Sequence, residues 1–357
     1  MDSSPAGPAS PAPSSPLPRS RVLIVGAGIA GLMAATDLRQ AGCSVRVVDK
    51  GRGVGGRLAT RRLGEATFDH GAQCLDLEGS PASEARWLEW LERLGPTRVP
   101  WWPSGAAAAG GTDACRWRGA PSMSAVAKHL ARDLEVHRET LIDALRTDDS
   151  GWIASVGGVD SFAADAVVLT PPVPQALAVL EAGRVPLPTR LRERLTSIDY
   201  DRCLTVMAVL EHPSRVPPPG SLAPASGPLA WISDNLAKGI SAVPSVTLQA
   251  TARFSLDHWD EDRTEVGRQL IEAASDWIGH DIREFQVHGW RYSRPRTPDP
   301  EPCLPLDTPF PLVLAGDAFG AGGLGGAAWS GCSAARGVLD RLANRRPDAG
   351  SGPKVQP

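Results

Sequence analysis

At 357 residues the chain is long enough for two substantial cores, and its composition, 42% hydrophobic and 22% charged, is that of a folded globular protein. The formal net charge is −3 with no sustained basic stripe, which argues against nucleic acid as the main partner. Six cysteines (Cys43, Cys74, Cys115, Cys203, Cys303, Cys332) lack C-x-x-C spacing and seven histidines lack H-x-x-x-H, so the pattern carries no metal site, and the cysteines read as reduced thiols of a cytoplasmic protein.

Residues 1–19 are Pro, Ser and Ala with little apolar bulk and are expected to be disordered, as is the tail 345–357. Neither a signal peptide nor a run of about eighteen apolar residues is present, so no membrane association is expected. Arg21 to Val25 then suits a buried parallel strand. Gly26, Gly28 and Gly31 follow in G-x-G-x-x-G spacing, with Ala30 inside the turn, and the pattern becomes helical with Leu32, Ala35 and Leu38 on one face. Gly26 permits the turn, Gly28 lets a pyrophosphate approach the backbone, Gly31 lets helix and strand pack, and the helix N-terminus offers free N–H groups. A second strand, Ser44 to Val48, ends in Asp49 and Lys50. An acid about twenty residues beyond the glycines can accept hydrogen bonds from an adenosine ribose. The segment is therefore expected to bind a dinucleotide.

A second glycine cluster, Gly51 to Arg57, has no helical pattern behind it. Its basic residues, Arg52, Arg57, Arg61 and Arg62, either neutralise a pyrophosphate or form a solvated basic loop. Further along, "ATFDHGAQCLDL" alternates as a strand, and Ser83 to Leu94 reads as a helix stopped by Gly95-Pro96. Residues 96–120 are a Gly, Ala and Trp-rich excursion. A helix returns near Ser122 with Val126, Leu130 and Leu134 in register, and short strands follow at Leu134 to His137, Trp152 to Val156 and Ala166 to Thr170. Arg202 to Glu211 and Ser245 to Arg253 read as long strands and Thr264 to Ile278 as an amphipathic helix. The end, "PFPLVLAGDAFGAGGLGGAAWSGCSAARGVL", again reads strand, glycine loop, helix, so both ends of the chain contribute to the nucleotide-binding unit.

Taken in order over about residues 20 to 340, the segments "GAGIAGL", "GRGVGGRLATRR", "FDHGAQ", "PSMSAVAKHLA", "VVLTPPVPQ", "HGWRYSRP" and "LAGDAFG" with "GLGGAAWSG" resemble the renalase-like branch of the FAD-dependent amine oxidase superfamily. The fold expected is α/β: a Rossmann-like FAD-binding domain with a parallel sheet and β-meander (20–80, 121–175 and 300–344), plus a second α+β substrate domain with a mixed or antiparallel sheet (81–120 and 176–299). The resemblance implies that both glycine clusters serve one FAD, bound noncovalently. Gly26, Gly28, Ala30, Gly31, Asp49 and Lys50 would hold its dinucleotide half, and Gly56 and Arg57 would curl around its flavin half. In Gly316-Asp317 the carboxylate would bind the ribityl chain or pyrophosphate, and the Leu141 backbone would contact adenine. A helix beginning near Gly326, with Ala327, would aim its N-terminus at the flavin N1–C2=O edge, where negative charge gathers on reduction. One departure is visible: where renalase-like sequences often carry V-E-G-A-A, this chain has Leu324-Gly325-Gly326-Ala327-Ala328.

On the substrate side, His70 and Gln73 are implied to lie beside the isoalloxazine, either touching substrate or simply satisfied within the strand. Trp290, Arg291 and Tyr292 either wall the pocket or pack a core, and Trp101, Trp102 and Trp117 form a lid or clamp a loop. Cys332 is considered as a covalent flavin ligand. Lysine is scarce, and Lys238 matches a renalase-like position better than the lysine that many amine oxidases hold near the flavin. The activity implied is oxidation of a small-molecule hydride donor, a dihydronicotinamide dinucleotide, with dioxygen as acceptor. The alternatives are an amine oxidase and a flavin-binding module without turnover.

Overall fold

In the computed structural model the described residues are 20–75, 92–95, 98–101 and 116–345. The two chain ends and most of the helix expected from Ser83 lie outside them. Within the excursion at 96–120, Arg98–Trp101 and Arg116–Gly119 pair as an antiparallel hairpin.

A six-stranded sheet runs in the order Leu304–Leu306, Leu312–Leu314, Ala166–Leu169, Arg21–Val25, Ser44–Val48, Glu135–His137. All its pairings are parallel except that of Leu304–Leu306 with Leu312–Leu314. Its central strands are largely apolar because both faces are covered, with the exposed Arg21 and Arg46 among the exceptions. Val22, Ile24, Val45, Val47 and Val168 face the helices Ile29–Gln40 and Gly323–Asn344. Leu23, Val25, Val167 and Leu169 face the three-stranded meander Ala144–Thr147, Trp152–Val156, Val159–Ala164 and the helix Val173–Ala182.

A second sheet is antiparallel throughout, in the order Ser221–Leu222, Leu229–Asp234, Ser245–Ala250, Tyr200–Leu210, Ile282–Pro295. One face packs Leu204, Val206, Ala208 and Leu248 on Val266 and Leu270 of the helix Arg263–Ala273. The opposite face turns toward the Rossmann unit, where Met207 and Val209 meet Phe68. The fold is thus α/β with a parallel sheet, a meander and a separate antiparallel sheet.

Three local expectations are corrected. "ATFDHGAQCLDL" is a strand only over Ala66–Asp69, since the chain turns beneath Arg57, whose carbonyl oxygen would lie 2.0 Å from a Cβ on Gly71. The strand at Ser245 ends at Ala250, where the Thr251 hydroxyl caps a short helix by accepting from Phe254 N. The helix read as Thr264 to Ile278 is two pieces, Arg263–Ala273 and Ser275–Ile278.

The helices Ile29–Gln40 and Gly323–Asn344 approach so closely that a Cβ on Gly331 would lie 2.1 Å from the Ala30 carbonyl oxygen. Gly337, on the same helix, has only Val313 Cγ2 at 4.0 Å. Gly331→Ala should therefore cost about 1–3 kcal/mol through overpacking. Gly337→Ala should stabilise by about 0.5–1 kcal/mol through helix propensity. Urea midpoints of the two variants check the opposite signs.

Candidate active site

The two glycine clusters touch each other. Gly28 and Gly55 form an isolated parallel bridge, and Gly55 N donates to Ala27 O at 2.8 Å. Gly26 and Gly55 have φ of +104° and +113°, which L side chains rarely adopt. Gly31 carries no Cβ for a different reason: one would lie 1.9 Å from Gly26 O. Asp49 braces both loops, its Oδ2 accepting from Ala27 N and its Oδ1 from Gly51 N, each at 2.6 Å. Lys50 donates to Gln175 Oε1 at 3.1 Å.

From these loops a single cavity of about 1080 Å³ extends to the antiparallel sheet. Small-molecule sites usually measure about 300–1,000 Å³, so this one stands at the upper end of that range and suits a large ligand such as a dinucleotide. Gly26, Gly28, Ala30, Asp49, Lys50, Gly56, Arg57, Leu141, Gly316, Asp317 and Ala327 all line it, together with Gln73, Trp290 and Tyr292. Gly31, His70 and Gly326 do not. The residues present fit a flavin dinucleotide. A Cβ on Gly28 would meet no atom within 4 Å, which leaves an open cradle beside the first turn of the helix Ile29–Gln40.

Arg57 and Asp317 are held by each other. The guanidinium donates from Nη1 to Oδ2 at 2.5 Å and from Nη2 to Oδ1 at 2.7 Å, and Nη1 also donates to Ser293 O at 3.0 Å. Burial disfavours the Arg57 charge, but Asp317 outweighs it and raises the guanidinium pKa above its ordinary value. This bidentate pair joins the second glycine cluster, the Gly316-Asp317 turn and the strand Ile282–Pro295. The closing helix starts at Gly323, three residues before the expected point. Gly326 N is consequently bonded to Gly322 O at 3.1 Å, and the first-turn amides are those of Gly323, Leu324 and Gly325.

The antiparallel sheet supplies the far wall of the cavity: Trp231, Gln249 and the run Trp290 to Arg294. Trp290 Nε1 donates to His70 O at 2.8 Å, and the rings of His70 and Trp290 stack at 5.4 Å. His70 does not line the cavity and stands behind the wall, which agrees with the structural one of the two readings left open for it. Burial, with His288 and Arg61 nearby, pushes its pKa down to about 3. Tyr292 packs edge-on against Tyr200, whose hydroxyl accepts from Val173 N and is pushed up to about 12 by burial.

Gln73 reaches the cavity, but its amide is committed to the protein. Nε2 donates to Asp69 O at 2.7 Å and Gly71 O at 3.1 Å, while Oε1 accepts from Lys238 at 3.4 Å. Lys238 Nζ also donates to Gln73 O at 2.7 Å and to Asp69 Oδ2 at 3.1 Å, in an ion pair whose side chains are both 0% exposed. Gly71 O accepts a further bond from Gln249 Nε2 at 2.7 Å. Trp231, Gln249 and the Asp69–Lys238 pair escaped the sequence reading.

Cys332 does not line the cavity; burial and the neighbouring Asp37 push its thiol up to about 12. Trp117 packs against the Rossmann core and bridges to Leu75, so it acts as a clamp. The side chain of Trp101 and all of Trp102 lie outside the described residues.

Two family models match the chain: an NAD(P)-binding Rossmann-like domain over residues 24–93 and the flavin-containing amine oxidoreductase family over residues 97–339. The chain belongs to the flavin-containing amine oxidoreductases and is a flavin-dependent oxidoreductase. Mouse (Mus musculus) renalase is 28% identical over 297 residues, covering 77% of this chain and 85% of that one, which supports the renalase-like branch. A putrescine oxidase solved with putrescine bound matches with TM-score 0.67 at 16% identity, over 90% of this chain and 99% of that one. A fatty acid isomerase from P. acnes matches with TM-score 0.60 at 14% identity, over 89% and 98%. These two structures share the fold.

Two outcomes follow from the buried groups. Lys238→Met strands the Asp69 carboxylate and should cost about 3–5 kcal/mol, with partial recovery when Asp69→Asn is added; urea denaturation measures both. His70 stays neutral in the folded chain down to about pH 3 but takes a proton near its ordinary value of 6.5 once unfolded. Between those values the unfolded chain binds more protons, so this contribution is present above about 6.5 and is lost as the pH falls. Melting temperatures should drop on acidification, and less steeply in His70→Phe.

Proposed function

We propose that the chain is a renalase-like oxidase that binds FAD noncovalently, takes hydride from an isomeric dihydronicotinamide nucleotide, and passes the electrons to dioxygen to give hydrogen peroxide. A bound flavin supplies a two-electron acceptor that dioxygen can reoxidise. Gly26, Gly28 and Asp49 would hold the dinucleotide half of the cofactor. Gly56, Arg57 and Asp317 would hold the flavin half, with the first-turn amides of Gly323 to Gly325 favouring negative charge there.

The observation that carries the choice of donor is the composition of the far wall. Trp231, Gln249 and Trp290 to Arg294 present three aromatic rings, two exposed arginines and no carboxylate. A primary amine or polyamine is cationic at neutral pH and would meet only like charge there. A planar dihydropyridine on a phosphate-bearing nucleotide suits both the rings and the arginines. Its oxidised product is an aromatic pyridinium, so loss of hydride needs no base. His70, held neutral until about pH 3, supplies none.

Anaerobic stopped-flow mixing of the purified protein with the 2- and 6-dihydro isomers of NAD(P), with NADH and with small amines tests the reading. The dihydro isomers should bleach the flavin band fastest, at rates nearly flat from about pH 6 to 8, since no group that the mechanism uses titrates there. Bleaching by an amine but by no dihydro isomer would replace this reading with amine oxidation. Acid precipitation should release the flavin into the supernatant.

A further inference from the structure

Two glutamines line the cavity, and the protein fully answers one of them. Gln73 has its amide engaged at both ends, with Nε2 donating twice and Oε1 accepting from Lys238. Gln249 is held by one end alone. Its Nε2 donates to Gly71 O at 2.7 Å, and because a carbonyl oxygen only accepts, that bond fixes which end of the amide is nitrogen and which is oxygen. Oε1 takes no hydrogen bond from the described residues, and it is not buried. The second N–H of Nε2 is likewise without a partner among them. The tethered amide thus keeps an acceptor and a donor on one planar group.

The fold places that amide in the far wall, among the rings. In the strand Ser245–Ala250, Val246, Leu248 and Ala250 pack in the core beneath the helix Arg263–Ala273, and Ser245, Thr247 and Gln249 alternate onto the face turned to the Rossmann unit. Thr247 Oγ1 donates to Asp69 O at 3.1 Å and is buried, whereas Gln249 is the one residue of the strand that is not buried. Its cross-strand neighbour Trp231 lines the cavity with it. Trp231 Nε1 donates to Ser233 Oγ at 2.8 Å, and Trp290 Nε1 to His70 O. The indole N–H groups of the wall are therefore taken, while the Gln249 amide keeps hydrogen-bonding capacity.

We infer that Gln249 reads the carboxamide of the dihydronicotinamide ring and so selects the amide form of the donor over the carboxylic acid form. The inference rests on the dihydronicotinamide reading above and deepens it. A primary carboxamide is the complementary group: its N–H can answer Oε1, and its oxygen can answer the free N–H of Nε2. A nicotinic acid ring carries a carboxylate at neutral pH, which can take the N–H alone and sets its negative charge against the lone pairs of Oε1. An acceptor left facing an acceptor in a desolvated site is a mismatch that discriminates strongly. Holding the carboxamide also fixes how the ring is turned in its own plane, and hence which ring carbon approaches the flavin.

The test uses the flavin-loaded protein and two donors that differ only in this group, the 6-dihydro forms of NAD and of its nicotinic acid analogue. Anaerobic stopped flow gives the efficiency of flavin reduction by each at subsaturating concentration. A carboxylate withdraws less electron density from the ring than an amide does, so intrinsic reactivity favours the acid, as do the arginines of the wall. A preference for the amide must therefore come from elsewhere in the site, and the unaltered protein should show one of at least about ten-fold. In Gln249→Met the ratio of amide to acid efficiency should fall by about that factor. Gln249→Lys keeps a donor for Gly71 O but puts a cation in place of the acceptor, and the ratio should fall further until the acid is preferred. A glutamine that merely held Gly71 would lower both efficiencies together and leave the ratio alone. Either variant supplies the reading should the other lose its flavin. No preference for the amide in the unaltered protein, or a ratio unchanged in the variants, overturns the role of Gln249 and leaves the dihydronicotinamide reading standing. Failure of both donors to reduce the flavin overturns that reading and this inference with it.

Discussion

The Asp69 carboxylate is the point on which the two halves of the molecule meet. It is fully buried and accepts from Thr60 Oγ1 at 2.7 Å, from Met123 N at 3.0 Å and from Lys238 Nζ at 3.1 Å. Those donors belong to a hairpin, to the first turn of the helix Met123–Leu130, and to the loop after the strand Leu229–Asp234. A buried charge costs several kcal/mol unless its partners are all in place, so the three elements are positioned together or the structure carries that cost. The Asp69 carbonyl oxygen extends the network by accepting from Gln73 Nε2 and Thr247 Oγ1. The segment Gly71 to Cys74, which forms part of the cavity lining, is therefore fixed from below by the antiparallel sheet and from the side by Arg57, whose carbonyl accepts from Ala72 N.

The close contact of the two glycine clusters has the same logic on the cofactor side. Asp49 ties Ala27 to Gly51, and the Gly28–Gly55 bridge zips the loops together, so neither loop has its shape without the other. Gly55 is also confined from the other side, where a Cβ would lie 2.9 Å from Ala127 Cβ on the helix Met123–Leu130. The Arg57–Asp317 pair then fastens the second loop to the C-terminal turn, across 260 residues of sequence. Two clusters close in sequence and one far from it become a single rim through backbone contact and one ion pair.

What the sequence made legible follows from how local each signal was. The strand Arg21–Val25, the glycine turn and the helix Ile29–Gln40 announce themselves within twenty residues, because the hydrophobic period changes at the turn. The start of the closing helix did not. Its first turn, Gly323 to Gly326, is glycine-rich and reads as loop by propensity, but it is the start of a helix held further along by the close approach of Gly331 to Ala30. The Asp69–Lys238 pair spans 169 residues, and nothing local couples an aspartate at a strand end to a lysine in a distant loop. The position of His70 was left open by the sequence because the strand read through it ends at Asp69, where the chain turns beneath Arg57.

The charges around the cavity sort by whether they are already answered. Asp317 is answered by Arg57, Asp49 by two backbone amides, and Asp69 by Lys238, whereas Asp143, which also lines the cavity, has its Oδ1 buried without a partner. His70 and His288 are both driven toward the neutral form, chiefly by burial. Arg291 and Arg294 of the far wall make no ion pair among the described residues, and both line the cavity. An oxidoreductase that had to deprotonate its substrate would require a base at that wall. A donor that becomes aromatic on losing hydride requires only a flat surface for its ring and positive charge for its phosphate, and this wall offers rings beside arginines.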